Sequence, residues 1–160
     1  MVKIRLVALG RLKESYLSEA MREYQKRLSG FCRFEVVELE PERLPDDPSA
    51  KEIAAALDAE AEKILAKIPP GSAAIALCIE GKTLSSEELA AEIDRLTVGG
   101  AGTLTFLIGS SYGLAERVKS AARLRLSFSK MTFPHQLARV MLAEQLYRSF
   151  TLLNHRKYHK

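Results

Sequence analysis

The chain has 160 residues, of which 47% are hydrophobic and 28% are charged, so it has the length of one domain and enough apolar residues for a sizeable core. No apolar run reaches the roughly 18 residues of a membrane-spanning helix, and the run near the first residue is too short for a signal peptide. We therefore expect a soluble protein with a single domain over residues 1–160, which excludes membrane-embedded and multidomain classes.

The net charge of +4 is distributed unevenly along the chain. Residues 1–110 hold 14 Lys and Arg against 18 Asp and Glu, a net charge of −4, whereas residues 111–160 hold 10 against 2, a net charge of +8. A basic C-terminal third is typical of a protein that binds a polyanion, because phosphate contacts supply most of the sequence-independent affinity for nucleic acids. A solubilising surface explains the charge count equally well.

The two cysteines, Cys32 and Cys78, lie in strand-like apolar runs without metal-ligand spacing. This pattern predicts two buried free thiols in a reducing compartment, and we expect the cytoplasm. The histidines also lack a partner at ligand spacing, so the sequence predicts no metal site.

Hydrophobic periodicity predicts strands and helices that alternate along the chain. The predicted strands are Lys3–Leu9, Arg33–Leu39 and residues 73–79, 104–108 and 123–128. The predicted helices are residues 12–28, residues 50–68, one that Ser85 or Ser86 caps and that ends at Leu96, a short one that ends at Ala122, and residues 134–153. This alternation predicts an α/β fold with a mostly parallel sheet flanked by helices.

Three loops follow the last three strands: a tight turn at Glu80-Gly81-Lys82, residues 109–113 and residues 129–132. Because parallel strands end at the same edge of a sheet, these loops are expected to form one composite pocket. Gly109 and Gly113 permit close approach of the backbone to a ligand, although glycines after strands commonly only make turns. The second loop lacks the Lys-Ser/Thr ending of a P-loop and the spacing of a dinucleotide fingerprint. No serine or cysteine lies in a nucleophile elbow.

The third loop joins a strand directly to an almost wholly apolar helix. Pro134 fits the first turn of this helix, with Thr132 as the predicted capping oxygen. Such a joint at the carboxyl end of a sheet collects ligands, but an ordinary βα connection has the same pattern. The polar residues of the helix do not gather on one face, which indicates burial in a core or against a second subunit.

Several stretches together resemble one known family. These are the run LSFSKMTFPHQLARVMLAEQLYRSF, the terminal YHK, the LIG…G loop and the turn and helix L-x-x-x-G-K-x-x-S-S-E-E-L-A. Over the whole chain the sequence resembles the RlmH family, the bacterial large-subunit ribosomal RNA pseudouridine methyltransferases of the SPOUT class. The resemblance implies a SPOUT-like fold with a C-terminal trefoil knot, a rare exception to the rule against knots. It also implies S-adenosylmethionine as the cofactor, a homodimer, and methylation of N3 of a pseudouridine in 23S ribosomal RNA on the assembled ribosome.

The resemblance also implies which residues contact the cofactor. They are Leu77, Gly109, Phe128, Ser129, Lys130, Met131, Thr132 and Phe133. The chain departs from the family pattern at Cys78, where an acidic residue is usual, and at Ser110, where a second glycine is usual. Cys78 removes a hydrogen-bond acceptor for the cofactor, and Ser110 restricts the loop unless its φ angle is ordinary. Both departures bear on cofactor affinity.

Methyl transfer from a sulfonium depends mainly on proximity, but the imide nitrogen of pseudouridine must lose a proton. We hypothesise that His135, Arg139, Tyr158 and His159 surround that nitrogen. For His135, a place beside the helix cap is an equally good interpretation, and Glu144 with Arg148 has the spacing of a helical ion pair.

The C-terminal tail mixes aromatic residues or histidines with cations, a composition that suits stacking on RNA bases and contact with phosphate. A terminus without fixed structure is the other interpretation. Two other functions remain open: a non-enzymatic ribosome-binding module of the same fold, and a methyltransferase with a different RNA target.

Overall fold

The computed structural model describes residues 1–156. Strands and helices alternate, as predicted: β1 (Lys3–Leu9), α1 (Ser15–Leu28), β2 (Arg33–Leu39), α2 (Ala50–Leu65), β3 (Ala73–Thr83), α3 (Ser86–Val98), β4 (Thr103–Ile108), α4 (Glu116–Ala121), β5 (Leu124–Ser127) and α5 (His135–Leu153). The strands form one sheet in the order β2-β1-β4-β3-β5. Every neighbouring pair in it is parallel, which confirms the predicted fold class.

Helices cover both faces of the sheet. Successive side chains of a strand point to opposite faces, so Leu6 packs in a core with α1, α3 and α5, whereas Val7 packs in a second core with α2 and α4. Because both faces are covered, the central strands are continuous apolar runs. No helix within residues 1–156 is long and apolar enough to cross a membrane.

Two helices begin with reciprocal side-chain caps. The Ser85 hydroxyl accepts the N–H of Glu88, and the Glu88 carboxylate accepts the N–H of Ser85. Ser49 and Glu52 form the same arrangement at the start of α2. A capping box satisfies donors that the first helical turn leaves without partners, which fixes where these helices begin.

The prediction that β3 ends at Ile79 in a tight turn was wrong. The strand continues to Thr83, and its pairing with β5 shifts so that both Leu77 and Lys82 lie opposite Leu126. A Cβ atom on Gly81 would lie 2.7 Å from the backbone carbon of Arg125. Glycine therefore permits β3 to return against β5 after the shift, where any side chain would collide with the backbone.

The start of α5 also differs from the prediction. Pro134 is the residue before the first helical turn, and no side chain, including that of Thr132, caps this end. The carbonyl of Pro134 accepts the first helical N–H bond, from Ala138 at 2.9 Å. The helix packs on α1 and α3 and leaves Leu137 and Leu152 exposed.

Candidate functional site

A cleft of about 880 Å³ lies at the carboxyl edge of the sheet. Its wall comes from residues 77–80 of β3, the ends of β4 and β5, the loops that follow β4 and β5, and the first turn of α5. The structure thus brings the second and third loops together, as the sequence predicted. Of the first predicted loop only Glu80 lines the cleft, and it belongs to β3. The implied cofactor residues that line the cleft are Leu77, Gly109, Phe128, Ser129, Met131, Thr132 and Phe133. Lys130 is exposed and is not part of the lining.

The second loop is a tight turn that requires glycine at two positions. A Cβ atom on Gly109 would overlap the carbonyl oxygen of Gly113. Gly113 has a φ angle of +84° and donates its N–H to the carbonyl of Ser110 at 2.9 Å. The turn therefore places bare backbone against the cleft, where a ligand can approach closely.

Ser110 fits this turn without backbone strain, because it is not among the described residues with a positive φ angle. Its hydroxyl donates to Oε1 of Glu60 at 3.1 Å, and Oε2 of Glu60 accepts the N–H of Glu42 at 3.0 Å. Glu60 is only 3% exposed. A buried carboxylate on α2 therefore holds the second loop in place.

Glu60 was missed from the sequence, although a signal for it exists. It lies four residues after Ala56 and four before Ile64, on the buried face of α2. A charged residue on an apolar helix face needs a buried partner. The sequence does not identify that partner, since Ser110 is 50 residues away along the chain.

The third loop is braced by its own serines. The hydroxyl of Ser127 donates to the carbonyl of Ser129 at 2.9 Å, and Oγ of Ser129 accepts the N–H of Met131 at 3.0 Å. These bonds fix the loop locally while Met131 stays 73% exposed. The loop therefore presents an ordered backbone and an apolar side chain at the mouth of the cleft.

The two cysteines differ in their surroundings. Cys32 is buried, and burial raises the pKa of its thiol to about 12. Cys78 is only half-buried, so the prediction that both thiols are buried was wrong for Cys78, which lines the cleft. Burial and then the charge of Glu80 raise the pKa of Cys78. Glu80 itself pairs with Lys119 across the cleft wall.

His135 lines the cleft at the first position of α5. Burial lowers the pKa of its imidazole, and the nearby charge of Arg139 lowers it further. The imidazole is therefore biased toward its neutral form, which can accept a proton. The neighbouring Gln136 donates from Nε2 to the carbonyl of Arg11 at 3.2 Å, which ties α5 to the loop after β1.

Arg139 is fully buried and does not line the cleft. Its guanidinium donates to Oε2 of Glu38 at 2.7 Å and to the carbonyls of Leu9 and Gly10 at 2.7 and 2.8 Å. These bonds hold α5 on the ends of β1 and β2. Tyr158 and His159, the other predicted catalytic residues, lie outside the described residues.

Within residues 1–156, no group of three or more His, Cys, Asp or Glu side chains is arranged to hold a metal ion. The ion pair predicted on α5 is present, with Nη2 of Arg148 at 2.6 Å from Oε1 of Glu144.

Comparison with known families decides the class of the protein. Residues 2–159 match the family model described as "Predicted SPOUT methyltransferase". The chain belongs to the SPOUT methyltransferase family. The trefoil knot that the sequence resemblance implies for a SPOUT fold remains a prediction.

Relatives of this SPOUT chain carry a more specific name. A protein of Clostridioides difficile strain 630, named ribosomal RNA large subunit methyltransferase H, is 47% identical over 99% of the chain and all of its own length. A protein of Streptococcus pneumoniae strain CGSP14 with the same name is 45% identical over the same shares.

Two solved structures share the SPOUT chain's fold. A probable methyltransferase from Bordetella pertussis Tohama I has a TM-score of 0.56 and 19% identity, covering 93% of this chain and 96% of that one. A probable methylase family protein from Haemophilus influenzae Rd KW20 has a TM-score of 0.54 and 16% identity, covering all of this chain and 72% of that one.

Proposed function

We propose that this SPOUT protein uses S-adenosylmethionine to methylate N3 of a pseudouridine in large-subunit ribosomal RNA. We further propose that it acts in the cytoplasm as a homodimer of single-domain chains on the assembled ribosome. Full-length relatives at 45–47% identity bear the name of a large-subunit ribosomal RNA methyltransferase, which supports the substrate class. The observation that carries the proposal is the cleft that β3 forms with the loops after β4 and β5.

The cleft suits the proposed cofactor in size and chemistry. Its volume of about 880 Å³ falls in the range of small-molecule sites, roughly 300–1,000 Å³. Leu77, Ile108 and Phe133 supply apolar surface for a purine ring, and Gly109 and Gly113 line the cleft with backbone alone. When bound, S-adenosylmethionine supplies an electrophilic methyl group.

The chain's own contribution is orientation and removal of one proton. We assign removal of the proton on the imide nitrogen to His135. The lowered pKa of His135 keeps its imidazole neutral, so the ring can accept this proton. Arg139 acts as a positioning residue, because its hydrogen bonds to Glu38, Leu9 and Gly10 fix the start of α5 and therefore His135. Tyr158 and His159 are proposed to contact the nucleotide.

The homodimer proposal rests on α5. This helix is apolar in nearly every direction, and the rest of the chain covers only part of it, leaving Leu137 at 37% and Leu152 at 40% exposure. A second copy of the chain would cover these side chains, since exposed apolar patches on soluble proteins commonly mark interfaces.

Two measurements test the proposed function. Calorimetry should detect binding of S-adenosylmethionine to the purified protein. Ribosomes are isolated from cells that lack this protein and are incubated with the purified protein and the cofactor. Mass spectrometry should then detect N3-methylpseudouridine in their RNA. A ribosome-binding module without activity would show neither cofactor binding nor methyl transfer. If the methyl group is found on another nucleotide, the protein is still an RNA methyltransferase, but the proposed target nucleotide is wrong.

A further inference from the structure

A second cavity, of about 330 Å³, adjoins the cleft. The two share five lining residues: Ser110, Ser111, Tyr112, His135 and Gln136. The rest of the second cavity comes from the loop after β1, the segment after β2 and the buried face of α2. We call these five residues the shared wall: the two cavities meet there, and a ligand in either cavity can contact them.

The methyl acceptor must lie beside the cofactor, because group transfer needs the reacting atoms about 3–3.5 Å apart. A third cavity, of about 480 Å³, also adjoins the cleft through Leu126, Ser127 and Phe128. No Lys or Arg lines that cavity, whose only charged lining residue among those described is Glu144. A strand of RNA is therefore poorly matched to it.

The second cavity has the opposite charge balance. Arg11 and Lys13 are exposed at its rim, and no hydrogen bond or ion pair joins either side chain to another described residue. Of its two carboxylates, Glu42 pairs with Nζ of Lys63 at 2.7 Å, whereas Glu60 accepts hydrogen bonds only from neutral donors. Arg11 and Lys13 therefore stand against one carboxylate without a cationic partner, and the remaining positive charge suits phosphate groups.

The shared wall also carries an aromatic side chain. Tyr112 is 48% exposed and lines both cavities. Enzymes that act on a nucleobase take it out of the stack into a pocket, where it stacks on aromatic side chains and is read at its edge by polar groups. His135 and Gln136 lie on the same wall and supply polar groups.

We propose that the second cavity receives the target nucleotide of the RNA, with its base against Tyr112 and its flanking phosphates at Arg11 and Lys13. This subsite rests on the proposed function, since a nucleotide is the expected ligand only if the protein methylates RNA. It places the acceptor base at the shared wall beside His135, where the second cavity meets the cofactor cleft.

The test compares the double variant Arg11→Ala/Lys13→Ala with a charge-matched control, Arg33→Ala/Lys67→Ala. Arg33 begins β2 and Lys67 follows α2, at the opposite edge of the sheet, and both are exposed. The assay is methylation of ribosomes that lack the modification, with the cofactor Kd measured in parallel. The rim variant should raise the KM for ribosomes at least tenfold and leave the cofactor Kd within twofold. The salt dependence of that KM should weaken by about 0.7 in log–log slope per lost contact with single-stranded phosphate.

Tyr112 provides an independent arm, with Tyr112→Phe retaining the ring and Tyr112→Ala removing it. The Ala variant should lose at least tenfold in kcat/KM for ribosomes, and the Phe variant should recover most of it. Circular dichroism melting checks that each variant is folded. If the double rim variant does not fold, the single variants Arg11→Gln and Lys13→Gln are measured instead.

If the rim variants match the control in ribosome KM and salt slope, the subsite is wrong. If the wild-type protein binds no cofactor or transfers no methyl group, the proposed function itself fails.

Discussion

The guanidinium of Arg139 connects parts of the chain that are far apart in sequence. Glu38 is 101 residues away and Leu9 is 130 residues away. The Nε atom of Arg139 has no hydrogen-bond partner among the described residues. The cost of removing the guanidinium charge from water is therefore offset only by the three hydrogen bonds of its other two nitrogens. Glu38 is 40% exposed, so water can solvate its carboxylate once Arg139 is removed. The cost of removing Arg139 therefore comes from the cavity that a large buried side chain leaves and from the carbonyls of Leu9 and Gly10, which lose their donor.

Arg139→Ala should therefore lower the free energy of unfolding by about 2–5 kcal/mol, measured by urea denaturation. Arg117→Ala is the control, because its ion pairs with Asp58 and Glu62 lie at the surface, where solvent screens them and they contribute little to stability. An Arg139→Ala protein with wild-type stability but no methylation would contradict the positioning role and favour direct contact with the substrate.

The proton-accepting role of His135 predicts a characteristic pH profile. Because the folded pKa is lowered from 6.5, the ring is neutral above that pH and gains a proton only as the pH falls further. Methylation should hold its rate down to about pH 6.5 and then decline. The lowered pKa of His135 also makes the folded protein less stable at acidic pH. As the pH falls from the pKa of His135 in the unfolded chain to its pKa in the folded protein, the unfolded chain binds the proton more readily, and the free energy of unfolding decreases.

Single-turnover rates of His135→Gln should be about 100-fold lower than wild type and lack this acid limb. His155→Asn serves as the control, because His155 is exposed beyond α5 and its φ angle of +53° suits asparagine. An unchanged acid limb in His135→Gln would assign the proton to another group.

At the scale of elements, the second loop depends on the absence of a side chain at Gly109. Gly109→Ala should weaken binding of S-adenosylmethionine at least tenfold by calorimetry, because the added Cβ overlaps the carbonyl of Gly113 and must displace the turn. Gly30→Ala is the matched control, since a Cβ there meets nothing within 4 Å. Equal affinities for the two variants would mean that the turn does not form part of the cofactor site.

The sequence correctly predicted the ends of those strands and helices that neighbouring residues determine. The bounds of β1 and β2 agree with the sequence prediction, because the hydrophobic pattern stops where these strands stop. The extension of β3 to Thr83 was not predicted, since Gly81 appears as a turn residue until its approach to β5 is known. The caps at Ser49 and Ser85 follow from nearby residues, whereas the start of α5 has no side-chain cap to predict.

The candidate site also has features that the sequence predicted and others that only the fold reveals. That the loops after β4 and β5 meet beside β3 follows from the parallel strands, and the sequence resemblance supplied their residues. The engagement of Arg139 and Glu60 was not predictable, because both depend on partners brought together only by the fold. The second cavity likewise combines the segments after β1, β2 and β4 with parts of α2 and α5, and these show no shared motif.

At the scale of the whole molecule, α5 predicts the oligomeric state. Sedimentation equilibrium should give twice the mass of the chain, and the double variant Leu137→Glu/Leu152→Glu should sediment as a monomer, because it places charges on the exposed apolar positions. Val98→Glu is the control, since Val98 is an equally apolar side chain, 79% exposed at the end of α3. A dimer that survives the α5 variant would locate the interface elsewhere.

The charge distribution of the whole chain bears on how RNA is recognised. Residues 111–160 carry a net charge of +8, and the proposed subsite adds Arg11 and Lys13 from the N-terminal part. If the last three residues complete an RNA-binding surface, deletion of Tyr158, His159 and Lys160 should abolish methylation of ribosomes. The cofactor Kd and the melting temperature should stay close to wild type, because the deletion keeps every residue that lines the cleft or forms the two cores within residues 1–156.

The deletion removes one lysine, so Lys160→Ala alone provides the control for charge and should keep most of the activity. Tyr158→Ala and His159→Ala then test the two proposed nucleotide contacts separately: each should raise the ribosome KM and leave kcat near wild type, because proton removal is assigned to His135. Methylation that survives the full deletion would confine RNA recognition to the body of the domain. Catalysis would then rest on His135 and the second cavity, since these belong to the part of the chain that the deletion leaves intact.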